Sequence, residues 1–142
     1  MPYKFERLEV WDLALQYLDL MYAIAQRLPC QEEYNLAAQM RRAATSICLN
    51  IAEGSTSQSN AEQARFLGMA IRSLVETVAC QHLVSRHQYL QDLTPLREAY
   101  RLSETLFAKL QALRTSLTTD RRPPTAAGKI REGSEEYEAG HD

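Results

Sequence analysis

Residues 39–54, Q-M-R-R-A-A-T-S-I-C-L-N-I-A-E-G, place Arg42, Ser46, Asn50 and Glu53 at intervals of three and four along a segment that is otherwise largely apolar. On a helix those offsets share one face, while Leu36, Met40, Ala43, Ile47 and Ile51 step down an adjacent apolar one. An amide or carboxylate near a core costs free energy unless its donors and acceptors are met, so the stripe implies hydrogen-bond partners on neighbouring helices. With Gln39, these residues read as a structural polar network that sets helix register. Their chemistry is recognition, with no bond made or broken.

Arginines supply the second candidate. Arg65, Arg72 and Arg86 are separated by 7 and 14 residues, and a heptad drifts only about 20° on a straight helix, so they share one stripe. Arg97 and Arg101 form a second pair one turn apart. A guanidinium is a natural phosphate ligand, which makes these five the expected contacts to nucleic acid or to a protein partner. Catalytic arrangements are missing. His82 and His87 do not share a helix face, His141 is close to the C-terminus, and helical di-metal sites need Glu-x-x-His on two facing helices, whereas that spacing occurs only at Glu138–His141, outside the helical patterns. Ser46 and Ser73 fall inside helical patterns, where a hydroxyl usually bonds back to the preceding turn, and no glycine-rich phosphate loop is present. The expectation is no catalytic residue, no metal, no cofactor and no enzymatic activity.

Four helices must position these groups. The first is expected from about Glu9 to Leu28, stopped by Pro29, whose ring and missing N–H oppose continuation. Trp11, Leu15, Leu18, Tyr22 and Ala25 form one of its faces, yet further apolar residues fill most of the rest, which predicts burial against a second subunit. The second runs from about Glu32 to Glu53, with Gly54 suited to a left-handed cap. After the polar connection 55–60, Ser59 or Asn60 caps a third helix over about Ala61–His87, with Glu62 or Gln63 placed for a capping box. The fourth begins near Leu93–Pro95 and continues to about Leu117. Short connections make neighbouring helices antiparallel.

The chain has 142 residues, a formal charge of −2 at pH 7 and a pI near 5.9. Residues 1–118 carry 12 Lys and Arg against 12 Asp and Glu, and residues 119–142 carry 4 against 6. No global basic excess marks a nucleic-acid binder, so such a role must rest on local patches or on patches summed over an oligomer. The division expected is a bundle over 1–118 and a flexible acidic tail over 119–142, a stretch rich in helix breakers. Cys30, Cys48 and Cys80 lack C-x-x-C spacing and are odd in number, which argues for reduced thiols. There is no signal-peptide pattern and no bilayer-length apolar run, so a soluble, cytoplasmic protein with no membrane partner is expected.

The signature R-x-A-x-S-I-x-x-N-I-A-E-G at 42–54, preceded by L-P-C-Q-E-E-Y-N-L at 28–36 and followed by E-Q-A-R-F-L-G-M-A-I-R-S-L-V-E at 62–76, resembles the bacterial four-helix-bundle protein family. That family includes proteins encoded in intervening sequences of large-subunit ribosomal RNA genes, and is related to accessory variability proteins of diversity-generating retroelements. The resemblance covers roughly residues 5 to 117. Relatives often carry arginine soon after A-E-G, where this chain has Thr56, Ser57 and Gln58, and glycine where it has Arg72. The resemblance implies an all-α, antiparallel up-down four-helix bundle assembled as a homo-oligomeric ring, a pentamer. It further implies an accessory or scaffold protein that binds RNA or DNA, a reverse transcriptase, or both. The alternative it leaves open is a self-associating intervening-sequence protein with no nucleic-acid role.

Overall fold

The computed structural model describes residues 2–118, and no strand occurs among them. Helix α1 spans Glu9–Gln26, α2 Leu36–Gly54, α3 Asn60–Arg86 and α4 Thr94–Thr118, with short 3-10 turns at Lys4–Arg7 and Cys30–Glu32. α2 packs on α1 and α3, α4 packs on α3 and α1, and all four helices contribute to one apolar core. The tail expected over 119–142 lies outside the described residues.

Local chemistry explains the helix ends. Ser59 takes an extended conformation, and its hydroxyl accepts the Glu62 N–H at 3.1 Å, which caps α3. Before α4, the Asp92 carboxylate accepts the Thr94 N–H at 3.0 Å, and Pro95 sits in the first turn, where a missing N–H costs no helical bond.

Three expectations are corrected. α2 begins at Leu36 and not near Glu32, because Glu32 turns its side chain to the helix start: Oε1 accepts from the Leu36 N–H at 3.3 Å and from Asn35 Nδ2 at 2.9 Å. α1 ends at Gln26, two residues early, because the N–H groups of Arg27 and Leu28 fold back to Ile24 and Ala25 in a tightened last turn. Gly54 is helical and has no positive φ, and the cap is Ser55. What requires glycine there is crowding, since a Cβ at Gly54 would lie 2.9 Å from Phe66 Cβ.

The buried stripe of α1 is Val10, Ala14, Tyr17, Met21, Ile24 and Ala25. Of the face expected to lead, Trp11, Leu15 and Leu18 are half-buried and Tyr22 is exposed. The neighbouring helices therefore cover most of α1. Among the helices α3 leaves the most large apolar side chains exposed, Met69, Val75 and Leu83, and α2 exposes Leu49.

Candidate nucleic-acid interface

α3 carries two seams, each at alternating spacings of four and three. Gln63, Leu67, Ala70, Leu74, Thr77, Gln81 and Val84 are all buried. Arg65, Met69, Arg72, Glu76, Ala79, Leu83 and Arg86 are all exposed. The second seam is offset by two residues, about 200° around a helix of 3.6 residues per turn, so burying one presents the other to solvent. Arg65, Arg72 and Arg86 thus share an open face. Arg65 lies over the Phe66 ring, 4.8 Å from its centroid, and its Nη1 is 3.7 Å from the Met69 sulfur.

Arg97 and Arg101 are exposed on the first turns of α4, where they line a groove of about 460 Å³ against the last turns of α3. Leu93 and Leu96 give this groove apolar walls, and the rings of His82 and Tyr100 meet edge to face with centroids 6.4 Å apart. The carboxyl of Asp92 is held low, first by the Thr94 N–H and then by the Thr94 hydroxyl, with smaller help from Arg27 and Arg97. Among the described residues the ion pairs are Arg41–Glu33 at 2.5 Å and Lys109–Glu9 at 3.2 Å. None of the five candidate arginines takes part in either.

Gln81, which also lines the groove, belongs to a buried polar chain that the sequence pattern did not reveal. Its Nε2 donates to the Tyr17 hydroxyl at 2.7 Å, and that hydroxyl lies 2.7 Å from Thr77 Oγ1, which donates to the Leu74 carbonyl at 2.6 Å. Burial pushes the Tyr17 phenol up to about 12. The available signal was Thr77 and Gln81 inside the seam 63–67–70–74–77–81–84, where the remaining positions apart from Gln63 are apolar.

The α2 stripe divides. Asn50, 9% exposed, donates through Nδ2 to the Ser46 carbonyl at 2.9 Å and hydroxyl at 3.1 Å, and Ser73 on α3 donates to the Ser46 hydroxyl at 2.9 Å. Those three tie α2 to α3. Arg42 bonds Gln39 on its own helix, and Glu53 is exposed. Arg42, Ser46, Asn50 and Glu53 line an open groove of about 500 Å³ together with Tyr22 of α1.

Residues 6–112 match the family described as 23S rRNA-intervening sequence protein. The chain belongs to that family. The match runs from the first 3-10 turn into α4, and so takes in the α2 stripe, both seams of α3 and the groove. A comparison with curated protein sequences finds no match. In this family member, no cluster of His, Cys, Asp and Glu suited to a metal occurs among the described residues, and none of its described helices is long and apolar enough to cross a membrane. Cys48 and Cys80 are buried, and burial raises both thiols, Cys48 to about 11, while Cys30 is exposed.

Proposed function

We propose that the protein is a non-enzymatic, self-associating scaffold of the cytoplasm that holds nucleic acid through the arginines of α3 and α4. One observation carries this reading. Acids and bases are equal at 12 each over residues 1–118, yet Arg65, Arg72, Arg86, Arg97 and Arg101 pair with no described carboxylate. Phosphates are the partners that solvent-facing guanidinium groups outside any ion pair suit, and phosphate neutralisation releases counterions.

The wider arrangement fits the same reading. Glu9 at the start of α1 meets Lys109 late in α4, and Glu32 before α2 meets Tyr89 after α3, as an antiparallel up-down bundle requires. Met69, Val75 and Leu83 interleave with the α3 arginines, which gives a second copy an apolar surface to cover and would repeat the basic stripe in each subunit. The number of copies, five, and a reverse transcriptase as protein partner are what the family resemblance implies. Self-association alone is the second reading, supported by the same three apolar residues.

Gel-shift titration across a salt series tests the proposal. Replacing Arg65, Arg72 and Arg86 with Gln should weaken binding to RNA and DNA alike, and lower the slope of log affinity against log salt by about 0.7 to 0.9 for each phosphate no longer neutralised. No shift of wild type at low salt, with or without a reverse transcriptase, would leave self-association as the function.

A further inference from the structure

The hydrogen-bond chain in the core has a direction. Thr77 spends its proton on the Leu74 carbonyl, so its oxygen must accept from Tyr17, and the Tyr17 oxygen must in turn accept from Gln81. That order fixes the Gln81 amide with nitrogen toward Tyr17, although nitrogen and oxygen are otherwise alike in shape. Gln81 Oε1 is left as an acceptor with no donor, on a side chain only 4% exposed that lines the α3–α4 groove. A buried acceptor without a partner is unfavourable, and an external N–H that reached it would remove that cost.

What the rest of the groove offers narrows the ligand. Its volume of about 460 Å³ is that of a small-molecule site, its walls at Leu93 and Leu96 are apolar, and Tyr100 supplies an exposed ring. Arg97 and Arg101 stand at the same groove and take part in neither ion pair of the described residues, although the charge of Arg97 is felt by Asp92. A flat ring with N–H on its edge and an anion beside it satisfies all three features.

We propose that the groove takes one unstacked nucleotide, its base against Leu93, Leu96 and Tyr100 with an N–H donated to Gln81 Oε1, and its phosphate on Arg97 and Arg101. This deepens the nucleic-acid reading and rests on it. Bases inside a duplex have both faces covered by stacking and cannot lie against Tyr100, Leu93 and Leu96, so the occupant is a base from a single strand or a free nucleotide. Oε1 is itself buried, so a donor reaches it only when the groove lining moves aside. The arginine stripe of α3 then serves the flanking phosphates.

The test uses the full chain with AMP, N6,N6-dimethyl-AMP, adenosine, single-stranded oligo-A and a duplex as probes, followed by ligand-observed NMR and fluorescence anisotropy. Wild type should bind AMP, bind oligo-A more tightly, and bind adenosine and dimethyl-AMP each about tenfold more weakly than AMP, the worth of about one polar interaction. Gln81→Met should erase the difference between AMP and dimethyl-AMP. Tyr100→Ala, at an exposed position that leaves folding intact, should weaken AMP and oligo-A but not the duplex. AMP binding without oligo-A binding would assign the site to free nucleotides. No AMP binding, with oligo-A shifts unaffected by Tyr100→Ala and by Arg97→Gln with Arg101→Gln but weakened by the α3 arginine substitutions, would overturn the groove and leave the phosphate reading standing. Absence of binding to every probe would overturn both.

Discussion

The Tyr89 hydroxyl donates to Glu32 Oε2 at 2.6 Å and so ties the segment before α2 to the segment before α4. Glu32 is doubly employed, since its Oε1 also receives the Leu36 N–H and the Asn35 amide. Tyr89 in turn stacks on His87, with ring centroids 5.4 Å apart. The carboxyl of Glu32 is held below its ordinary value, chiefly by the Tyr89 hydroxyl and then by Asn35, and the same bond pushes the Tyr89 phenol up.

A depressed carboxyl makes stability fall with acid. The contribution is present above the ordinary value of 4.5 and is lost as pH drops through the lower folded value. Tyr89→Phe should lower the melting temperature at neutral pH and flatten its decline on acidification. Melting curves of wild type and variant that stay parallel throughout the acid series would show that the bond adds nothing.

At the alkaline end Tyr17 acts in the opposite sense. Its phenol is raised from 10.0 to about 12, so its contribution is complete below 10 and is lost as pH rises through about 12. Tyr17→Phe should flatten that alkaline decline. It should also cost about 1–3 kcal/mol at neutral pH, because Gln81 loses its acceptor and Thr77 its donor. Chemical denaturation at neutral and high pH measures both effects, and equal stability of the two proteins at neutral pH would show that the chain is dispensable.

Within the α2 stripe, Asn50 and Glu53 should behave differently. Asn50→Ala removes both bonds to Ser46 and should destabilise by about 1–2 kcal/mol, while Glu53→Ala should stay within about 0.5 kcal/mol of wild type. A double-mutant cycle with Ser73→Ala should reveal coupling through Ser46. Strict additivity would mean that the three residues do not act together.

Gly54→Ala sets two effects against each other. Alanine favours the helix by about 1 kcal/mol, but a Cβ placed 2.9 Å from Phe66 Cβ forces two backbones apart, at about 1–3 kcal/mol. The net change expected in denaturant titration is destabilisation. A more stable variant would show that α2 and α3 separate easily at this point.

Light scattering should give wild type a mass several times 16.2 kDa. Val75→Lys with Leu83→Lys should reduce it towards the monomer without unfolding, since both side chains are exposed on α3. A monomeric wild type would end the self-association proposal.

Periodicity alone determined four helices over residues 9–118, and separations of 7 and 14 residues placed Arg65, Arg72 and Arg86 on one stripe. Such patterns are legible because helical geometry converts spacing along the chain directly into direction around an axis. The tertiary structure decided what spacing cannot encode. Glu32 stops being the first turn of α2 because an acceptor is needed at the start of that helix and Tyr89 lies within reach across 57 residues. Gly54 serves a close approach by Phe66, and Tyr17, Thr77 and Gln81 form one chain across separations of 60 and 64 residues. Arg97 and Arg101 gain Gln81 and His82 as neighbours only because α4 packs back onto α3. Each of these depends on distances between residues far apart in the chain, which arise when packing fixes the helices against one another, whereas the helices themselves follow from interactions three and four residues away.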